Sequence, residues 1–404
     1  MPSFLRILAL TGLLFLPGVL FVVRGQETRQ QRPRRVTAGP EQSGSKNSGD
    51  SNEPQAKAQE SRPQEVDAGD VVRVETQLVS VPAVVTNTAG RPLTGLRNEN
   101  FVLFENGEQQ KITNFATTDA PFEIALLLDT SGSTRNDMAL IREAALSFIE
   151  ALRPGDRVAI IGFAMGRQGP GVEVLSKLTD DRNRLRGAIE NLRSSAGTPY
   201  YDALERIADE VFAETPRPEV IGRRAFIALT DGVDSSGKAE FETARAKLMR
   251  ARIASYFIQV NTEEFVENAV LKPCGEGVVL STKQLQRYRR VFAPRSNPED
   301  YADFCGMGSF ERMQVSRDLY SLARREMNEL AKASGGKNFQ AASLQDARAA
   351  FALVATEIGT QYSLGYYPTN KARDGKFRTI RVEVQGVPDK PKVRAREGYN
   401  APKS

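Results

Sequence analysis

Apolar and polar residues keep one rhythm near both ends of the folded part of the chain and another between them. From Val71, "VVRVETQLVSVPAVVTNTAGRPLTGL" and "NFVLFENGEQQKITNFAT" place apolar residues at about every second position between the turn signals "NTAGRP" and "ENGE". A period of two predicts antiparallel strands. The C-terminal end repeats it in "TQYSLGYYPT", "KFRTIRVEVQG" and "KVRAREGY", separated by "NKARDG" and "VPDKP". Between these regions, residues 121–360 alternate apolar runs with segments whose apolar residues recur at spacings of three and four. That alternation predicts an α/β fold: a doubly wound, mostly parallel six-stranded sheet with helices on both faces.

The strands are predicted at 123–129, 157–164, 172–178, 224–230, 253–260 and 337–340, and the helices at 136–152, 181–193, 200–213, 239–251, 317–333 and 344–359. In "MALIREAALSFIEAL", Ala139, Ile141, Ala145, Phe148, Ile149 and Leu152 mark one buried face. Gly335 and Gly336 close the helix before them. The chain enters and leaves this unit at the rim opposite the carboxyl ends of its strands. Segments 69–120 and 361–404 are therefore expected to pair there as one β-sandwich-like domain built from two pieces.

Ahead of these elements, "MPSFLRILALTGLLFLPGVLFVVRG" has one early cation, Arg6, an apolar run from Ile7 to Val23, and small residues suited to cleavage before Gln26. It reads as an export signal over 1–25, placing the protein in the periplasm, cell envelope or outside the cell. The competing reading is an uncleaved membrane anchor, since the run nearly spans a bilayer. Residues 26–68 hold almost no aliphatic or aromatic side chains. Such a segment cannot offset its ordering entropy, so a flexible tether is expected.

Composition then removes whole classes of chemistry. The 404 residues contain no histidine, which excludes the commonest general base and every Ser-His or Cys-His nucleophile. The formal charge is +5, but acidic and basic residues are interspersed. Nothing there resembles a nucleic-acid footprint.

The candidate chemistry lies where "EIALLLDTSGST" runs a buried strand into Asp129, Ser131 and Ser133. In open α/β sheets, ligands sit beyond the carboxyl ends of the strands. Carboxylate and hydroxyl oxygens at positions one, three and five of a short loop are hard donors, suited to Mg²⁺ and not to zinc or copper. The spacing D-x-S-x-S alone arises by chance about once in ten chains of this length, so context must decide. Asp129 and Ser133 as helix caps are the bland alternative. That alternative leaves Thr198, in "SAGTPYYDAL", and Asp231, in "RAFIALTDGVDSSG", unexplained. Both fall at the same rim if the sheet is parallel there. Asp234 and Asp202 read as turn or cap residues. "GFAMGRQGPG" lacks both the dinucleotide spacing and a phosphate-loop lysine, and reads as a loop between neighbouring strands.

The set "DTSGS" at 129–133, Thr198 before "YDAL", and "LTDG" at 229–232 resembles the metal-ion-dependent adhesion site of von Willebrand factor type A domains, over residues 121 to about 360. The flanking β segments look similar to those of a subgroup of such proteins from Acidobacteria-like bacteria. The resemblance implies that Ser131 and Ser133 bind Mg²⁺, or Mn²⁺ or Ca²⁺ in its place, through their hydroxyls. It implies the same of Thr198 in the tightly binding state, and water-mediated contact for Asp129 and Asp231. It further implies that a carboxylate of a protein partner takes the remaining position. A cation held by few direct carboxylates keeps charge to share, so an incoming Asp or Glu is attracted strongly.

Cys274 and Cys305, the only cysteines, fall in an insert, 262–316, that reads as irregular. An even count in an exported protein implies a disulfide, with about 3 to 4 kcal/mol of stabilisation from closing such a loop. The insert leaves a parallel strand at its carboxyl end and is expected to frame the metal rim, selecting partners while leaving metal binding alone. Two function classes follow. The first is an exported, non-enzymatic adhesion or assembly module that captures an acidic residue of a protein partner through the metal. The second is a metal-assisted hydrolase of the cell envelope, which would need Lys238, Asp234 or an insert residue as its base.

Overall fold

The structure, a computed structural model, describes residues 78–131, 137–166, 169–274, 279–388 and 390–403. The expected leader and tether, and residues 69–77 of the first β segment, lie outside them. The chain opens with β1 (Val79–Thr86), β2 (Phe101–Glu105), β3 (Glu108–Gln110) and β4 (Ile112–Ala116). Asn106 and Gly107 take φ of 48° and 85°, the backbone that a two-residue turn from β2 to β3 requires.

The alternating region follows as β5 (Glu123–Leu128), α1 (Met138–Ala151), β6 (Arg157–Gly166), β7 (Gly169–Thr179), α2 (Arg182–Glu190), α3 (Tyr200–Arg206), β8 (Arg224–Thr230) and α4 (Phe241–Ala251). It continues through β9 (Ala254–Val260), α5 (Glu263–Val270), α6 (Thr282–Phe292), α7 (Ser309–Ser334), β10 (Lys337–Ala341) and α8 (Ala347–Gly359). Its six strands lie in the order β10-β9-β8-β5-β6-β7. All neighbours are parallel except β6 and β7, which form an antiparallel pair at one edge.

Every residue of β5 is buried because the sheet is covered twice. Ile124, Leu126 and Leu128 enter a core with Phe148 of α1, Leu185 of α2 and Phe351 of α8. Ala125 and Leu127, pointing the other way, meet Leu204 of α3, Leu248 of α4 and Leu330 of α7. The alternation within one apolar run is the two-residue strand period facing two cores.

The chain ends with β11 (Tyr362–Tyr366), β12 (Phe377–Val384), β13 (Lys392–Ala395) and β14 (Gly398–Asn400). Two four-stranded sheets result, ordered β13-β1-β11-β4 and β14-β12-β2-β3. In both, strands from before and after the α/β region are hydrogen-bonded antiparallel neighbours. Their facing sides share Val81, Val85, Leu103, Tyr362, Leu364 and Tyr399. Within that core Glu105 accepts from Tyr366 Oη at 2.6 Å, Tyr399 Oη at 2.9 Å and Arg378 Nη1 at 3.1 Å. A buried carboxylate is tolerable only when satisfied in this way.

Arg223 sits where the chain enters and leaves the α/β region. Its guanidinium is fully buried and donates to Pro121 O at 3.1 Å, Thr117 O at 3.2 Å, Gln361 O at 2.8 Å and Ala120 O at 2.6 Å. It also lies over the Phe122 ring, 4.1 Å from the centroid. Burial lowers its pKa to about 9. Gly335, at φ 84°, ends α7, and the adjoining Gly336 passes so close to Ser255 that a Cβ would lie 1.9 Å from its carbonyl oxygen.

The insert departs from the sequence expectation. It is not irregular: α5, α6 and the first turns of α7 occupy it, and α7 starts at Ser309, well before the predicted 317. These helices build a core of their own from Val266, Val270, Leu285, Phe304 and Leu319. Cys274 and Cys305 form a disulfide with a Cα–Cα distance of 6.0 Å. No helix among the described residues is long and apolar enough to cross a membrane.

Candidate metal centre

Asp129 and Asp231 stand one residue beyond β5 and β8, strands paired in register up to Leu128 and Leu229. Parallel pairing therefore delivers both carboxylates to one rim, where they are 2% and 7% exposed. Oδ2 of Asp129 accepts from Thr230 Oγ1 at 2.6 Å, and Oδ1 from the Ser131 amide at 3.0 Å. Thr230 Oγ1 in turn accepts from the Gly232 amide at 2.9 Å.

Burial raises the pKa of Asp129, against the pull of the Thr230 hydroxyl and of the Ser131 hydroxyl and amide. Asp231 is pushed up to about 6, first by burial and then by the negative charge of Asp129. Two buried carboxylates, one of them raised further by the charge of the other, are what a cation relieves.

Thr198 reaches the same region just ahead of α3 and is 7% exposed. Its amide donates to Ser235 Oγ at 2.9 Å and its carbonyl accepts from the Ser235 amide at 3.0 Å. The Ser195 amide donates to Thr130 O at 2.7 Å, which holds this loop against the one after β5. Segments 129–131, 195–198 and 230–237 thus converge. Tyr200 registers their joint charge, its pKa raised by burial, then by Glu326, Asp129, Asp234 and Asp231.

Ser133 lies outside the described residues. The helix it was expected to precede, α1, is headed by Asp137 with no side-chain cap bond, while the carboxylate of Asp129 turns to Thr230. Asp234 accepts from the Tyr201 amide at 3.0 Å and the Gly237 amide at 3.1 Å. Asp202 accepts from the amides of Lys238 and Ala239 at 2.7 and 2.6 Å.

The donor set fits a hard, hydrated cation. It offers two carboxylates and several hydroxyls, and no nitrogen or sulfur. No group of three or more His, Cys, Asp or Glu gathers as metal ligands among the described residues, so hydroxyls and water must complete any coordination. Ser236 Oγ is buried without a hydrogen-bond partner among the described residues. It faces Gly197, where a built Cβ would lie 2.7 Å from it, so an unsatisfied oxygen adjoins Thr198.

The sequence reading missed two residues here. Thr262 Oγ1 donates to Asp231 Oδ2 at 2.7 Å, and Tyr320 Oη lies 3.4 Å from the same oxygen. Thr262 could have been noticed as the second residue past β9, beyond the carboxyl end of a strand. Tyr320, on α7, carries no local signal. The insert was expected to frame this rim, and it does so at close range: Thr262, its first residue, and Tyr320, on the helix that closes it, both reach the Asp231 carboxylate.

Residues 124–233 match the family model described as von Willebrand factor type A domain. A "UPF0353 protein" from Nocardia farcinica is 22% identical over 261 residues, covering 62% of this chain and 66% of that protein. The chain thus spans just under two thirds of the curated relative it matches. The solved structure "von Willebrand factor type A from Catenulispora acidiphila" is 12% identical, with a TM-score of 0.39 over 82% of this chain and 75% of that one. Proximal thread matrix protein 1 from the mussel byssus, in a structure with a zinc-occupied MIDAS motif, is 13% identical, with a TM-score of 0.34 over 59% of this chain and 48% of its own.

Proposed function

We propose, from the premise that this chain carries a von Willebrand factor type A domain, that it is an exported module binding a protein partner through a divalent cation. Asp129, Ser131, Ser133, Thr198 and Asp231 hold that cation, with Mg²⁺ the first candidate and Mn²⁺ or Ca²⁺ able to replace it. One observation carries the reading: two mutually repelling carboxylates are buried at the ends of adjacent parallel strands, ringed by hydroxyls. When bound, the cation supplies a positive centre for an Asp or Glu side chain of the partner.

The chain's own residues prepare that centre. Thr230 and the Ser131 amide orient the Asp129 carboxylate. The Ser235 pairing fixes Thr198. The disulfide supports an oxidising compartment. The hydrolase reading gains nothing from Asp234, whose Oδ1 is 2.9 Å from Lys283 Nζ and whose carboxylate is occupied by two amides.

Capture of a protein from envelope extract by the whole chain, in Mg²⁺ and in EDTA, tests the reading. Capture is expected in Mg²⁺ and lost in EDTA or in Asp129→Ala, with the far-UV circular dichroism unchanged. A partner held equally well without a cation ends it.

A further inference from the structure

The insert, together with α7 that closes it, grips the candidate site from both sides. On one side, Asp231 Oδ2 takes the Thr262 hydroxyl at 2.7 Å, and Thr262 Oγ1 lies 2.8 Å from Tyr320 Oη. All three residues are buried, so the chain of hydroxyls runs where hydrogen bonds are strong and unmet donors costly. On the other side, Ser281, which caps α6, donates to Ser235 O at 2.7 Å. Lys283 Nζ pairs with Asp234 and donates to the carbonyls of Gly237 and Ala239. Ser235 is the residue that holds Thr198. Between the two grips, Val233 plugs into the insert's own core beside Val266, Phe304 and Leu319.

The loop carrying Asp231 and fixing Thr198 is therefore packed on, and hydrogen-bonded to, a disulfide-closed subdomain that supplies none of the candidate ligands. We propose that the insert is the positioning element of the cation site. Thr262 and Tyr320 orient Asp231, Ser281 and Lys283 hold the loop that sets Thr198, and affinity for the cation depends on the insert. This rests on the reading of the rim as a cation site. Groups that orient metal ligands from behind change affinity by about 10- to 100-fold when removed, without touching the metal themselves.

The experiment is titration calorimetry of the whole chain with Mn²⁺, for the wild type, Thr262→Val, Thr262→Ser and Tyr320→Phe. Hydrogen exchange at the Val233 and Ser235 amides is followed in EDTA alongside it. Thr262→Val keeps the side chain's shape and is expected to weaken Mn²⁺ binding at least tenfold and to speed exchange at both amides. Thr262→Ser, which restores the hydroxyl, is expected to return both towards the wild type. Tyr320→Phe keeps its ring in the insert core and gives the same direction should Thr262→Val fail to fold. Unchanged Mn²⁺ affinity in Thr262→Val and Tyr320→Phe overturns the proposal while the cation site stands. Failure of Thr262→Ser to recover also overturns it, since shape and not the hydroxyl would then be at work. A wild type that takes up no Mn²⁺ overturns the site itself and the proposal with it.

Discussion

Thr230 Oγ1 donates to Asp129 Oδ2 at 2.6 Å, so the last residue of β8 satisfies the carboxylate delivered by β5, its neighbour in the middle of the sheet. The same oxygen accepts from the Gly232 amide. One hydroxyl thereby shapes both carboxylate-bearing loops.

Thr230→Val, which keeps the volume and removes the hydroxyl, leaves a buried carboxylate oxygen and a buried amide without this partner. A loss of about 1 to 3 kcal/mol is expected at neutral pH, read by urea denaturation in EDTA. Added Mg²⁺ should recover part of it. A variant as stable as the wild type would show that the hydrogen bond contributes nothing.

The raised pKa of Asp231 fixes the sign of a pH effect. Its folded-state value, about 6, lies above the ordinary carboxylate range, so the folded chain keeps a proton that the unfolded chain has already released. Stability from this group is complete below about pH 4 and is lost as pH rises through about 6 in the cation-free protein. Asp129 shifts in the same direction. The difference in unfolding free energy between wild type and Asp231→Asn, measured in EDTA from pH 4 to 7.5, should therefore fall with rising pH. Mg²⁺ affinity should climb over the same interval as the proton ceases to compete. A difference that stays flat, with affinity indifferent to pH, would contradict the carboxylate assignment.

Arg223→Met removes every donor that Arg223 gives to Pro121, Thr117, Gln361 and Ala120. A cost of about 3 kcal/mol or more is expected from stranding these carbonyls. Arg223→Lys should rescue little, because an ammonium cannot reproduce the planar fork. Denaturation midpoints of the two variants check this, and a midpoint near the wild type for Arg223→Met would refute it.

The parts of the fold that were legible in the sequence share a cause. β5 and β8 carry the apolar runs Ile124 to Leu128 and Ala225 to Leu229 because both faces of the sheet are covered, and an aspartate follows each strand. The insert was harder to read, because α5 is short and α6 is not held by an apolar stripe. In α6 the buried residues are Gln284, Leu285 and Arg287, and Arg287 is buried through its ion pair with Glu326 and its stacking on Tyr201. At the start of α7, Phe310 is 75% exposed, so its apolar side chain gives no inward face. Asp129 and Asp231 announce themselves by following strands. Thr262 and Tyr320 lie 31 and 89 residues from Asp231 in sequence, and only tertiary packing brings them to it.

The antiparallel seating of β1 between β11 and β13 has a mechanical consequence. A pull on the chain ahead of Val79, directed along β1, meets hydrogen-bonded neighbours on both edges of that strand. It loads the ladder bonds on both its edges in shear, all together and not one after another. Tension so applied is borne by a double-sided seam, which must slide before β1 can be drawn out of its sheet.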